Sequence, residues 1–129
     1  MSRKLAHLAL VIDDYDEAID YYTNTLEFQL LEDTVLTETK RWVLITPGTA
    51  SGCSILLAKA ANAEQQSRIG NQTGGRVFLF LHTNTFEEDF KNLIEKKVRI
   101  VRQPVEEAWG RVLVFEDKYG NLWDLIEKR

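Results

Sequence analysis

Few side chains in this 129-residue chain can move protons or hold a ligand near neutral pH: two imidazoles, His7 and His82, and one thiol, Cys53. His7 sits in the apolar run Leu5-Ala6-His7-Leu8-Ala9-Leu10-Val11-Ile12, and the carboxylate of Asp124 interrupts a second such run, Leu122-Trp123-Asp124-Leu125-Ile126. Imidazoles act as bases or metal ligands, and carboxylates orient them or accept hydrogen bonds. Arg111 follows Gly110, and Trp42 follows Lys40-Arg41. Such a cation and such an aromatic can grip an anionic or planar ligand. The other roles open to them are a surface salt bridge for Arg111 and core or dimer-interface packing for Trp42. His82 lies on the opposite strand parity to Val77, Leu79 and Leu81 and reads as a surface or loop imidazole. Cys53 has small neighbours and no basic partner, so it reads as a small buried hydrophobe. Gly74-Gly75 precedes a strand, not a helix, and is no phosphate loop.

These residues need elements to position them. The run around His7 has the composition of a strand and stops at Asp13-Asp14, either of which can cap a helix. That helix carries the stripe Tyr15, Ala18, Ile19, Tyr22 and Leu26, with Asp16 and Glu17 in its first turn. Strands are expected over residues 28–32, 42–46 and 52–58. Residues 59–75 are polar and read as a connection with a short helical turn around 60–66. The pattern then restarts with a strand over 76–81 and a helix capped by Asn84 or Thr85. Its stripe is Phe86, Phe90, Leu93 and Ile94, with Lys96-Lys97 at its end. Strands over 98–101, bounded by Pro104, over 110–115 and over 122–126 complete it.

The order is strand, helix, three strands, twice over. Val77 set on His7 is an offset of 77 − 7 = 70, and Gly120 set on Gly52 is 120 − 52 = 68. The chain therefore reads as one domain over 1–129, with module one at 1–59, a connection at 60–75 and module two at 76–129. Each βαβββ unit has too little core to stand alone, so the sheets should pair, with helices on the outer side.

Composition excludes whole classes of function. With 16 basic against 20 acidic residues the net charge is −4, which gives no electrostatic case for nucleic acid. No apolar run reaches the ~18–20 residues of a membrane span, and the N-terminus lacks a secretory pattern. A lone cysteine fits a reducing cytoplasm.

Three segments carry a family resemblance: residues 7–14, the helix end Tyr21-Tyr22-Thr23-Asn24-Thr25-Leu26-Glu27-Phe28, and the turn and strand Phe115-Glu116-Asp117-Lys118-Tyr119-Gly120-Asn121-Leu122-Trp123-Asp124-Leu125. They resemble the glyoxalase/bleomycin-resistance/extradiol-dioxygenase (vicinal oxygen chelate) superfamily over essentially the whole chain. Glu27 departs from it, standing where the family often has Gly. The resemblance implies an α+β fold in which two βαβββ modules form a curled eight-stranded mixed sheet around a cup, often in a homodimer.

It also implies metal positions on the first and last strands of each module, here His7, Leu56, Val77 and Asp124. Strand alternation puts His7 with Ala9 and Val11, and Asp124 with Leu122 and Ile126, on the faces expected to line the cup. Leu56 and Val77 cannot coordinate a cation and count as ligand-binding positions with Trp42 and Arg111. His7 and Asp124 alone fall short of the roughly three protein ligands of a catalytic zinc site. They could instead pair as general base and orienting carboxylate, or Asp124 could be held by Arg111. The first expectation is thus a cytoplasmic protein holding a small organic molecule, without a cofactor. The second is a lyase, isomerase or dioxygenase in which Zn, Ni, Mn or Fe binds His7 and Asp124, its shell completed by water, substrate or another residue.

Overall fold

The computed structural model describes residues 1–48 and 52–129. The chain divides into two compact units, residues 1–68 and 69–129, and the division falls inside the polar stretch read as a connection.

The first unit runs β1 (His7–Ile12), α1 (Tyr15–Asp20), β2 (Gln29–Val35), β3 (Arg41–Thr46), β4 (Ser54–Lys59) and the short α2 (Ala63–Gln66). Asp14 caps α1 by accepting from the Glu17 N–H at 2.9 Å. The helix continues for one wider π-helical turn, Tyr21–Thr25, which ends at Glu27 with φ of 62°. The sheet order is β1-β4-β3-β2, with β1 parallel to β4 and the other pairs antiparallel. One face buries Leu10, Ile12, Val43, Ile45, Ile55 and Leu57, and α1 supplies Tyr15, Ala18 and Tyr22 to the same core. This is the apolar stripe expected from helical spacing.

The second unit repeats the plan: β5 (Leu79–His82), α3 (Phe86–Glu95), β6 (Arg99–Glu107), β7 (Gly110–Glu116) and β8 (Leu122–Lys128). Its order is β5-β8-β7-β6, with β5 parallel to β8. Leu113, Phe115, Trp123 and Leu125 are buried together with Phe86 and Leu93 of α3. Phe115 and Trp123 are near-parallel, with ring centroids 5.8 Å apart. The turn before β8 is built around Asp117, whose carboxylate accepts from the backbone N–H groups of Tyr119 and Asn121, the Asn121 side-chain amide and the Trp123 indole.

Three sequence expectations need correction. Pro104 does not end β6: the strand passes through it at a register shift between Arg102 and Val105, on the sheet edge, where a residue without N–H costs no ladder bond. β5 begins at Leu79, so Val77 precedes it. Thr85 occupies the N-cap of α3 without capping it, because its hydroxyl lies against Asp89 and Thr83 instead.

Candidate functional site

In each unit one sheet face is covered by its helix and the other is not. Register assigns the residues on the uncovered faces, since cross-strand partners share a face and alternate residues return to it.

In the first unit His7 pairs with Ser54, Ala9 with Leu56, and Leu56 with Leu44. Trp42, two residues from Leu44 on β3, shares their face and pairs with Thr34. The His7 and Trp42 rings meet edge to face, with centroids 6.0 Å apart and planes at 79°. Among the described residues no carboxylate or carbonyl bonds the exposed imidazole, so the orienting partner expected for a general base is replaced by an indole. His7, Trp42 and Leu56 thus occupy one face of one sheet.

In the second unit a single row crosses all four strands. Phe80 on β5 pairs with Asp124 on β8, Asp124 with Val114 on β7, and Val114 with Arg102 on β6. Asp124 is half-buried, and this burial pushes its carboxyl above the ordinary 3.8 while the positive charge of Arg102 pulls the other way. Among the described residues the Asp124 carboxylate forms no hydrogen bond or close ion pair. The Phe80 ring beside it is 61% exposed.

Arg111 belongs elsewhere. It shares a parity with Leu113 and Phe115, and its guanidinium lies 4.7 Å over the Phe86 ring of α3. Its Nη2 donates to Glu127 at 2.8 Å, and it also pairs with Glu87 and, at 3.6 Å, with Glu106. Hydrogen bonds to Glu127 raise the Arg111 pKa, and the Glu127 carboxyl is lowered in turn. Arg111 is a structural clamp on the helix-covered side, and the salt-bridge alternative is the one realised. Arg41, beside Trp42, is likewise engaged: it bonds Asp16 at 2.9 Å and Asp33 at 2.6 Å and lies 5.1 Å over the Tyr15 ring.

Register also revises the module equivalence. Ala9 opposite Leu56 corresponds to Phe80 opposite Asp124, so two residues earlier His7 corresponds to Phe78, one position after Val77. Val77 falls in the odd-numbered set with Leu79 and Leu81, away from Asp124. Phe80 and Arg102 were missed from sequence. The alternation Phe78-Leu79-Phe80-Leu81-His82, with aromatic rings at every even position, was the available signal.

A family model described as the Glyoxalase/Bleomycin resistance protein/Dioxygenase superfamily matches residues 4–125. The chain belongs to this superfamily. An uncharacterized protein of Shewanella frigidimarina is 52% identical over 128 residues, covering 98% of this chain and 95% of the relative. A crystal structure of a superfamily member from Sphaerobacter thermophilus superposes with a TM-score of 0.80 at 26% identity, over 98% of both chains. TnmS3, an antibiotic binding protein from Streptomyces sp. CB03234, shares the fold with a TM-score of 0.77 at 24% identity, over 99% of this chain and 98% of TnmS3. Divalent metals are common in the superfamily, but the donor set here does not fit one. Among the described residues no three His, Cys, Asp or Glu side chains are gathered, and Leu56 and Phe78 stand at two of the four equivalent positions. No described helix is long and apolar enough to cross a membrane.

Proposed function

We propose that this glyoxalase-superfamily protein binds a small organic molecule against the uncovered face of a sheet, without a metal, as a cytoplasmic homodimer. The edge-to-face contact of His7 and Trp42 carries the reading. Two rings held at right angles, on a face that also bears Ala9 and Leu56, offer an apolar surface with one polar edge. Ligand sites combine such apolar area with a small number of polar groups. TnmS3, an antibiotic binding protein of the same fold, supports the reading. A dimer accords with the edge strand β2 and the loop after it, where Leu30, Leu31, Val35 and Leu36 are all exposed.

The test is a thermal-shift screen of planar aromatic compounds, followed by titration of the hits into the wild type and Trp42→Ala. Loss of one aromatic wall lowers affinity by about tenfold or more. Hits that bind Trp42→Ala as tightly as wild type, or no hits in a broad library, refute the reading. Metal analysis of protein purified without chelator provides the second arm, and a full equivalent of Zn, Ni, Mn or Fe, lost on His7→Ala, restores the metal-dependent enzyme.

A further inference from the structure

The row across the second sheet specifies a ligand class more narrowly than its fold does. Read from one edge it runs Phe80, Asp124, Val114, Arg102, at the roughly 4.8 Å steps of neighbouring strands. Asp124 is the sole carboxylate in that row, it is half-buried, and its along-strand neighbours on the same face are Leu122 and Ile126. An ionised carboxylate set among apolar side chains is costly unless something pairs with it. Arg102 acts on it only through its charge, standing one strand further away beyond Val114. Next to the carboxylate on its other side is an exposed aromatic ring. A carboxylate next to an exposed aromatic ring is a recognition pair for an organic cation, with the anion taking its N–H donors and the ring its charge and apolar surface.

We propose that the second sheet recognises an organic ammonium or amidinium group, so that the molecule bound here is a cationic aromatic compound. Asp124 accepts its N–H and Phe80 packs against its apolar body. A neutral or anionic analogue leaves the half-buried carboxylate unpaired and binds less well. The repeat sharpens the point: the place of Asp124 is taken in the first unit by Leu56, so the carboxylate is a feature of one sheet and not a requirement of the fold.

This inference rests on the small-molecule reading above, and a matched ligand pair separates the two. At pH 8, 9-aminoacridine is a cation and acridine is neutral, with nearly the same tricyclic shape. Equilibrium fluorescence titration is expected to show the cation binding wild type about tenfold more tightly than acridine. Asp124→Asn removes most of that difference, by weakening the cation and relieving the desolvation that acridine imposes on the carboxylate. Phe80→Ala weakens both. Glu95→Gln, which removes one negative charge from the exposed surface of α3, reports the effect of net charge alone and preserves the preference. If both compounds bind wild type equally, or if Asp124→Asn retains the preference, the cation inference is overturned and the small-molecule reading stands. If neither compound binds, and the wider library also yields nothing, both fall.

Discussion

Replacing Asp117 with Ala tests the turn that sets the register of β8, and with it the position of Asp124. Asp117 is 3% exposed, and its two oxygens receive four donors. Oδ1 accepts from the Tyr119 and Asn121 backbone amides at 3.0 Å, and Oδ2 accepts from Asn121 Nδ2 and Trp123 Nε1 at 3.0 Å. A hydrogen bond to a charged acceptor contributes about 1.5–3 kcal/mol, and stranding a buried donor costs about 1–3 kcal/mol. Summing four such terms overshoots, because the turn can relax and water can reach its exposed side. The two groups that cannot relax are the Trp123 indole, fixed by its stack on Phe115, and the Asn121 backbone amide, fixed by the start of β8. Two stranded donors and a small cavity put the loss at about 3–5 kcal/mol, or roughly 10–20 °C in Tm for a chain of this size.

Asp117→Asn is the sharper variant. Its carbonyl oxygen can keep the two backbone amides, which turns its NH2 toward Asn121 Nδ2 and Trp123 Nε1. Asn121 can flip to present Oδ1, an atom buried without a hydrogen-bond partner among the described residues. Trp123 Nε1 then remains unanswered, and the expected cost is about 1–3 kcal/mol. Urea unfolding followed by tryptophan fluorescence measures both variants. Asp117→Ala within 1 kcal/mol of wild type, or Asp117→Asn costing as much as Ala, would refute the argument that the charged acceptor holds this turn together.

Four further outcomes are expected. Glu27 and Lys97 end their helices at φ of 62° and 60°, where a side chain is strained, so Glu27→Gly and Lys97→Gly should each raise stability by about 0.5–1 kcal/mol in chemical denaturation; a loss at both sites would be contrary. Arg111→Met should destabilise at pH 7. Because Glu127 is held below 4.5 in the folded state, the deficit is full above that pH and shrinks as acid protonates the carboxylate, so a deficit unchanged at pH 3 contradicts the clamp. Asp124→Asn should raise Tm at pH 7. Burial holds the folded carboxyl above 3.8, so wild type loses stability as pH rises through that range, and the gain should vanish near pH 3, where both side chains are neutral. Trp42→Ala should keep cooperative unfolding while losing ligand affinity, since the ring lies outside the helix-covered core; loss of folding would place Trp42 in the core instead.

Much of the fold could be read because its signals are local. The Asp14 cap, the Tyr15–Ala18–Tyr22 stripe and the apolar runs of β1, β4, β7 and β8 are each decided by neighbouring residues. Edge strands were harder. β2 is exposed along its whole length, and its continuation through Asp33-Thr34-Val35 lies beyond the strand expected over 28–32, because neither face is buried to give a pattern. β6 survives Pro104 for the same reason. At the site, parity separates His7 and Asp124 from the helix-facing residues of their strands, but the pairing between strands is contained in no local pattern. Placing Val77 opposite His7 was a one-residue slip, and in a strand such a slip exchanges the faces. For Arg111 charge alone leaves ligand grip and salt bridge open, and its parity with Leu113 and Phe115 is the signal that decides for the helix side, where three carboxylates pair with it. Phe80 and Arg102 become visible only once β5, β8, β7 and β6 are set in register.

The repeat turns these placements into an argument about chemistry. Two βαβββ units provide four equivalent sites on their first and last strands: His7 and Leu56 in one, Phe78 and Asp124 in the other. Two of them are apolar, and the substitutions lie crosswise, so each sheet keeps one polar group beside a hydrophobic one. A single anchor next to an apolar plate coordinates a metal poorly but fixes the orientation of an organic molecule well. The backbone determines where the four side chains stand. Their identities, and not the fold, decide what each sheet face can hold.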